Sequence, residues 1–428
     1  MNFFEWEITK YERRIERIKN NPDPTKLQCN QLLYEMWLDF RKQQLKEWAE
    51  GRPFAYESGG LGVQRVLQAL GFRTIHLPTT ADRAGDRAAQ YFDACRRPGY
   101  PDTICDRIQV YMGMALSRDI PPPRFVAIGF GECLPCTYGS RWLMEVFKVP
   151  GFTVDMDCYI QDQEDNEECL KHLTHQLEEM ISLAEKEVPG IKFDEAKLAE
   201  LQERERTTQL IRDEIREIKR AVPCPVSGKD SLRMPPIDLI HDPRYLEYMN
   251  MFRDEVREKA ARGVGALAEE KLRFAWLVSA PFYTDPFSYL EKRGVAVPIY
   301  DAGADAPRAM IGDEELYGRT LSPLEAEAAE MIVPHASGRR GPSENKVHQT
   351  VNIVRDMNLD GVVFFMLWGC TSELGHAKLV ADRVEEETGV PTLMIEGWCL
   401  DSEKYDKDQF ENQLGSFVDL CLVKKGLA

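Results

Sequence analysis

Eleven cysteines are spread through this 428-residue chain, and three of them stand where thiols do chemistry. Cys370 closes an apolar run that begins at Gly361 and passes through Val362, Val363, Phe364, Phe365, Met366 and Leu367. β-Branched, aromatic and aliphatic residues bounded by glycine predict a buried strand. A thiol at the carboxyl end of such a strand stands where open α/β sheets hold their ligands. Cys105 ends the segment Gly99 to Cys105, and Cys136 follows the apolar run Phe125 to Phe130. Thiols from three distant segments suggest one shared site, most plausibly a metal cluster, because soft thiolate donors suit iron–sulfur clusters. Taken one at a time, each cysteine reads more readily as a small buried hydrophobe.

Cys133 and Cys136 form a C-x-x-C pair with three readings: a redox disulfide, half of a zinc site, or two cluster ligands. A structural zinc site needs a second pair, and none stands at the usual spacing. The dithiol reading needs the order strand, C-x-x-C, helix, which is the order predicted here. Ser58, Gly59 and Gly60 lie between a predicted strand and helix, where small residues let backbone N–H groups approach a phosphate or a cluster. For acid–base work the candidates are Glu57 and Ser58, beside those glycines, and His376, which follows Cys370. A surface histidine is the plainer reading of His376. His172 and His175 lie in an acidic helical stretch and read as a solvated face. No G-x-S-x-G, Walker A or H-E-x-x-H motif occurs, so hydrolase, nucleoside triphosphatase and zincin readings lose their main support. If ATP matters, a partner hydrolyses it.

The elements that must position these residues alternate. Predicted strands at Pro53–Tyr56, Phe72–Leu77, Phe125–Phe130 and Gly151–Asp155 are separated by helical stretches, including Val63–Leu70 and Ser140–Phe147. Strands at Phe274–Val278, Gly294–Tyr300, Gly361–Leu367 and Gly389–Ile395 repeat the theme, with helices near Phe287–Lys292, Val347–Met357 and Ala377–Glu387. Such alternation predicts parallel sheets. Residues 1–50 predict an N-terminal helical segment, 51–160 a first α/β domain, 161–272 a helical connecting region with helix from Pro243 to Leu272, and 273–428 a second α/β domain.

Composition bounds the partners. Hydrophobic residues make up 43% and aromatic residues 10%, enough for a sizeable core. No stretch approaches the ~20 apolar residues of a membrane span, and the N-terminus is acidic and aromatic, unlike a signal peptide. The expected location is the cytoplasm, where thiols stay reduced. A net charge of −17 argues against nucleic acid and suits a basic protein partner.

The chain resembles the 2-hydroxyacyl-CoA dehydratase and benzoyl-CoA reductase family, in particular the larger cluster-binding subunit of ATP-dependent benzoyl-CoA reductase. The resemblance rests on Pro53 to Gly60, Ala69 to Phe72, Gly99 to Cys105 with Gly113, Cys136 with Trp142, Val154-Asp155, Gly361 to Cys370, and Gly389 to Glu396. It implies two flavodoxin-like, Rossmann-like parallel-sheet domains with N-terminal and central helical segments. It implies a 4Fe-4S cluster held between the domains by Cys105, Cys136 and Cys370, with one iron position left for water or substrate. Trp142 and Trp368 would shield that cluster, and N–H groups near Gly59 and Gly369 would donate to its sulfides. The implied function is oxygen-sensitive reduction or dehydration of a CoA thioester through a ketyl radical anion. Electrons would come from a separate ATP-hydrolysing iron–sulfur activator, and a homologous subunit would complete a homo- or heterodimer. The family's arginine after the last strand is absent here, where Trp398 and Cys399 follow Glu396 and Gly397. The related double-cubane proteins, with a bridged eight-iron cluster, offer an alternative without CoA. Cys133 and Cys399 are then possible additional ligands, with Cys158 a weaker third. A subunit that only stores electrons or scaffolds a paralogue is a further alternative.

Overall fold

The computed structural model describes residues 1–21, 26–58, 61–129, 133–155, 163–232, 237–240, 242–300, 317–336 and 343–427. Two helices open the chain, α1 (Phe3–Asn20) and α2 (Cys29–Ala49). Asn2 and Glu5 form a capping box at the start of α1. Its buried face, Phe3, Phe4, Tyr11 and Ile15, packs along α2. There the buried Glu7 carboxylate accepts from Arg41 Nε at 2.6 Å.

The first sheet contains β1 (Phe54–Ser58), β2 (Arg73–His76), β3 (Phe125–Gly129) and β4 (Gly151–Val154), all parallel, in the order β2-β1-β3-β4. Around it lie α3 (Leu61–Ala69), α4 (Leu77–Asp82), α5 (Ala88–Arg96), α6 (Asp106–Leu116) and α7 (Leu134–Phe147). A helical stretch follows: α8 (Gln163–Glu187), α9 (Glu195–Ile218), α10 (Gly228–Leu232) and α11 (Tyr245–Ala261). The second sheet contains β5 (Leu272–Leu277), β6 (Val295–Tyr300), β7 (Gly361–Leu367) and β8 (Thr392–Gly397), parallel in the order β6-β5-β7-β8. Its helices are α12 (Pro286–Lys292), α13 (Pro323–Ala336), α14 (Ser343–Asp356), α15 (Thr371–Thr388) and α16 (Lys407–Lys425). No described helix is long and apolar enough to cross a membrane.

Both sheets therefore have one topology. The direction of winding reverses between β1 and β3, and again between β5 and β7. Each reversal opens a crevice at the carboxyl ends of those strands. Cys133 and Cys136 follow β3, Cys370 follows β7, and Cys399 follows β8.

The two halves interlock. Helix α13 belongs to the second half by sequence, yet Leu324, Ala328 and Met331 pack with Val63, Val66 and Leu67 of α3. Arg65 of α3 donates to Glu327 through Nε at 2.5 Å and NH2 at 2.8 Å, with both side chains fully buried. At the crevice, Gly369 lies against the loop before α6. A Cβ on Gly369 would stand 2.4 Å from Cys105 N, and its φ is +76°. Only glycine meets both demands.

Several boundaries differ from the expectation. β1 extends through Glu57 and Ser58, which the sequence placed in a turn, because their polar groups are buried by partners from other segments. Helix α7 begins at Leu134 and not Ser140, so Cys136 stands in its first turn. Helix α15 begins directly after Cys370, not at Ala377. Helix α11 stops at Ala261, short of Leu272, because Gly263 takes a left-handed φ of +65° just past its end.

Candidate active site at the thiol crevice

Three cysteines occupy the N-cap positions of helices: Cys105 on α6, Cys133 on α7 and Cys370 on α15, none with a side-chain capping bond. Cysteine is a poor cap. Asn2, Asp194, Asp285 and Asp406 perform that task at other helices of the chain, and an adequate cap is worth about 1 kcal/mol. Helix stability is thus not what the three thiols serve. Each stands at the positive end of a helix dipole, which suits an anionic ligand.

The thiols act on one another. Negative charge on Cys370 bears on both Cys105 and Cys133, and charge on Cys136 bears on Cys133. Burial, reinforced by Asp106 and Cys399, pushes the Cys105 thiol well above its ordinary value. Burial, reinforced by Cys136, pushes Cys133 up to about 12. Burial also raises Cys136, against hydrogen bonds from Ser58 and Tyr111. Among the described free cysteines, only Cys133, Cys136 and Cys370 are half-buried, while Cys29, Cys95, Cys105, Cys224, Cys399 and Cys421 are buried.

Cys136 is ringed by hydroxyls. Tyr111 OH lies 3.8 Å from its Sγ and 3.3 Å from its carbonyl oxygen, and Ser58 Oγ lies 2.9 Å from Ser140 Oγ. Gly139 permits this, since a Cβ there would come within 2.9 Å of the Tyr111 hydroxyl. Cys399 is fully buried, with Sγ 3.0 Å from Ser279 Oγ. Ser279 follows Val278, whose φ of 80° is strained for a β-branched residue and turns the chain sharply after β5.

Two residues directly after Cys105, missed in the sequence reading, tie the halves together. The buried Asp106 Oδ2 accepts from Leu400 N at 2.5 Å and Asp401 N at 3.1 Å. Burial raises its carboxyl to about 6. Arg107 is clamped by Asp82 through Nε at 2.6 Å and NH2 at 2.9 Å. Its guanidinium lies 5.6 Å from the Phe282 ring and is held charged, against its own burial, by the Asp82 carboxylate. The available signal was an acidic–basic pair opening a helix immediately after a candidate ligand.

The acid–base candidates separate. Glu57 is buried on β1, and its Oε2 takes no hydrogen bond among the described residues, lying 3.8 Å from His76 Nε2. Burial, then the charge of Asp238, pushes its carboxyl well above the usual range, and burial pushes His76 down to about 4. His76 is therefore neutral near pH 7, and Glu57 keeps its proton to higher pH than an ordinary carboxyl. His376 lies on α15, where Nδ1 meets Ser343 Oγ at 3.1 Å. Gly59, Gly60 and Cys158 lie outside the described residues.

Among the described residues no three His, Cys, Asp or Glu side chains converge as they would around a single ion. Thiolates on one tetrahedral ion at 2.3 Å stand about 3.8 Å apart. A polynuclear cluster gives each thiolate its own iron and spaces them more widely. Cys105, Cys136 and Cys370, thiols from three separate segments, are of the donor type that such a cluster uses.

The family model for the 2-hydroxyglutaryl-CoA dehydratase D-component matches residues 64–420. The chain belongs to this family. It is 22% identical over 382 residues to the (R)-phenyllactyl-CoA dehydratase alpha subunit of Clostridium sporogenes, covering 85% of this chain and 88% of that one. It is also 22% identical over 391 residues to the lactoyl-CoA dehydratase subunit alpha of Anaerotignum propionicum, covering 82% and 86%. The matched residues include Cys105, Cys133, Cys136, Cys370 and Cys399, while β1, with Glu57 and Ser58, precedes them.

One prediction concerns Glu57 of this D-component-family chain. Its folded pKa is raised, so above the ordinary 4.5 the folded chain keeps a proton that the unfolded chain has lost. Stability is therefore lost as pH rises above 4.5. Glu57→Gln is expected to be more stable than the wild type by a margin that widens from pH 5 to pH 8. Urea unfolding midpoints at the two pH values check this, and a constant difference would refute it.

Proposed function

We propose that this chain is the cluster-bearing subunit of a 2-hydroxyacyl-CoA dehydratase. In this reading Cys105, Cys136 and Cys370 hold a 4Fe-4S cluster, and a separate ATP-hydrolysing activator supplies the electrons. The observation that carries it is the close approach of Gly369 to Cys105, which brings the N-cap thiols of α6 and α15, Cys105 and Cys370, to one place. When bound, such a cluster supplies one-electron transfer and a Lewis-acidic iron.

The remaining steps belong to the protein. Tyr111 and Ser58 orient the Cys136 sulfur and offset charge placed on it. The N-termini of α6, α7 and α15 favour negative charge in the crevice. Arg107, fixed by Asp82, presents a permanent cation beside Cys105, where the oxygen of a thioester gains charge on reduction. Glu57, whose carboxyl burial pushes well above the usual range, holds its proton more firmly than an exposed acid one residue from Ser58, suited to assist the departing hydroxyl. The family and the alpha-subunit relatives support a 2-hydroxyacyl thioester of CoA as the substrate class and a second subunit as the partner.

One observation favours a larger assembly as the second reading. Cys133 is half-buried, stands at the start of the helix whose first turn holds Cys136, and is pushed up by burial and then by Cys136. Cys399, paired with Ser279, is the weaker candidate for a double-cubane cluster. Anaerobic purification with iron, labile sulfide and electron paramagnetic resonance decides between them. About four irons per chain support the first reading and about eight the second. Iron-free protein that resists anaerobic reconstitution would overturn both.

A further inference from the structure

The carboxyl ends of β7 and β8 carry an aromatic pair that the chemistry above leaves unused. Trp368 lies two residues before Cys370, and Trp398 directly precedes Cys399. The Trp368 N–H donates to the Gly397 carbonyl at 2.9 Å, which continues the β7–β8 ladder one step and sets the two indoles side by side. Their rings stack with centroids 6.3 Å apart and planes 20° from parallel. Lys404 Nζ lies 4.2 Å from the Trp398 ring centroid, itself held 3.5 Å from Asp401. The order is thus ammonium, Trp398, Trp368.

Neither indole belongs to a described hydrophobic core cluster. Trp368 remains 49% exposed, on the rim of the thiol crevice. A tryptophan side chain has 150–250 Å² to bury, so an indole half in water beside a reaction centre contributes little to folding. What it offers is a flat, weakly hydrated face suited to a second ring.

We propose that Trp368 and Trp398 form the acyl-group subsite, and that this subsite takes a planar aromatic acyl chain. The inference rests on the CoA-thioester reading and names the class of thioester. The same face would also stack adenine. In a CoA thioester, however, the adenine is separated from the acyl carbon by the whole pantetheine and diphosphate arm, whereas the acyl group is joined to the reacting carbonyl. A ring beside Cys370 and Cys399 is therefore placed for the acyl end.

Isothermal titration calorimetry of the anaerobically purified protein tests this with four unreactive probes: 3-phenylpropionyl-CoA, 3-cyclohexylpropionyl-CoA, propionyl-CoA and free CoA. The wild type is expected to bind the phenyl thioester about tenfold more tightly than the propionyl one, the worth of one stacked ring pair. The cyclohexyl thioester should fall between them. Trp368→Ala should bring the phenyl-to-propionyl ratio near one while free CoA changes less than about twofold. Trp368→Phe should restore part of the ratio, which separates stacking from loss of fold. An unchanged ratio in Trp368→Ala overturns the inference and leaves the CoA reading standing. Equal weakening of all four probes assigns the pair to adenine and overturns the acyl assignment. Failure of the wild type to bind any of them overturns the CoA reading and this inference with it.

Discussion

Cys370→Ala is expected to leave the chain folded and to strip it of iron. The thiol is half-buried at a helix N-cap and makes no capping bond, so its removal costs the fold little. In the proposed reading its loss removes the ligand that joins the second sheet to the cluster, and thiolate ligation is what holds such a cluster in place. Iron and labile sulfide after anaerobic reconstitution should fall from about four per chain to well below one. Cys421→Ala is the matched control. Cys421 is 1% exposed in the core under α16, remote from the crevice cysteines in the electrostatic network, where its neighbours are Asp360 and Lys424. That variant should lose on the order of 1 kcal/mol from reduced burial and keep its iron. Iron content and urea midpoint therefore move oppositely in the two variants. Full iron in Cys370→Ala would remove Cys370 from the ligand set.

Much of this arrangement was legible in the chain, for reasons that differ between elements. β7 runs from Gly361 to Leu367, as its apolar run implied, because a strand buried on both faces needs no partner to be recognised. The first turns of α7 and α15 were hidden. They contain Pro135, Cys136 and Thr137, and Thr371 and Ser372, residues of low helix propensity that read as loop. Those turns carry the thiols, so the residues that weaken the helical signal are the ones the site requires. Glu57 and Ser58 read as a turn because an acid in a buried strand is unexpected, and the burial that raises the Glu57 carboxyl, with the charge of Asp238 beside it, comes only with the fold. The approach of Gly369 to Cys105 joins residues more than two hundred positions apart, and no local pattern announces it. Arg107 went unnoticed for the same reason: its meaning comes from Asp82, Phe282 and Tyr300, which only the fold collects.

The same dependence on distant partners sets the largest stability effect. Arg65→Met is expected to destabilise the chain by about 3–5 kcal/mol, the cost of leaving a buried carboxylate without its cation. Arg65 and Glu327 are fully buried and bonded bidentately across 262 positions, and Glu330 pairs with the same guanidinium. Burial already pushes the Glu327 carboxyl above its ordinary value with the arginine present. Without it, Glu327 is held protonated to still higher pH. The folded variant then keeps a proton that the unfolded chain sheds above 4.5, so the deficit of Arg65→Met should grow as pH rises from 5 to 8. Arg65→Met with Glu327→Leu removes both charges and replaces them with apolar volume between α3 and α13. That double variant should recover most of the loss, because a buried ion pair is often matched by well-packed hydrophobic residues. Urea unfolding of the three variants, including Glu327→Leu alone, closes the cycle. A double variant as unstable as Arg65→Met would mean that the pair does more than neutralise itself. Its remaining role would be orientation: α13 carries the chain of the second half across α3 of the first, and so helps fix the crevice in which Cys105 meets Gly369 and Cys370.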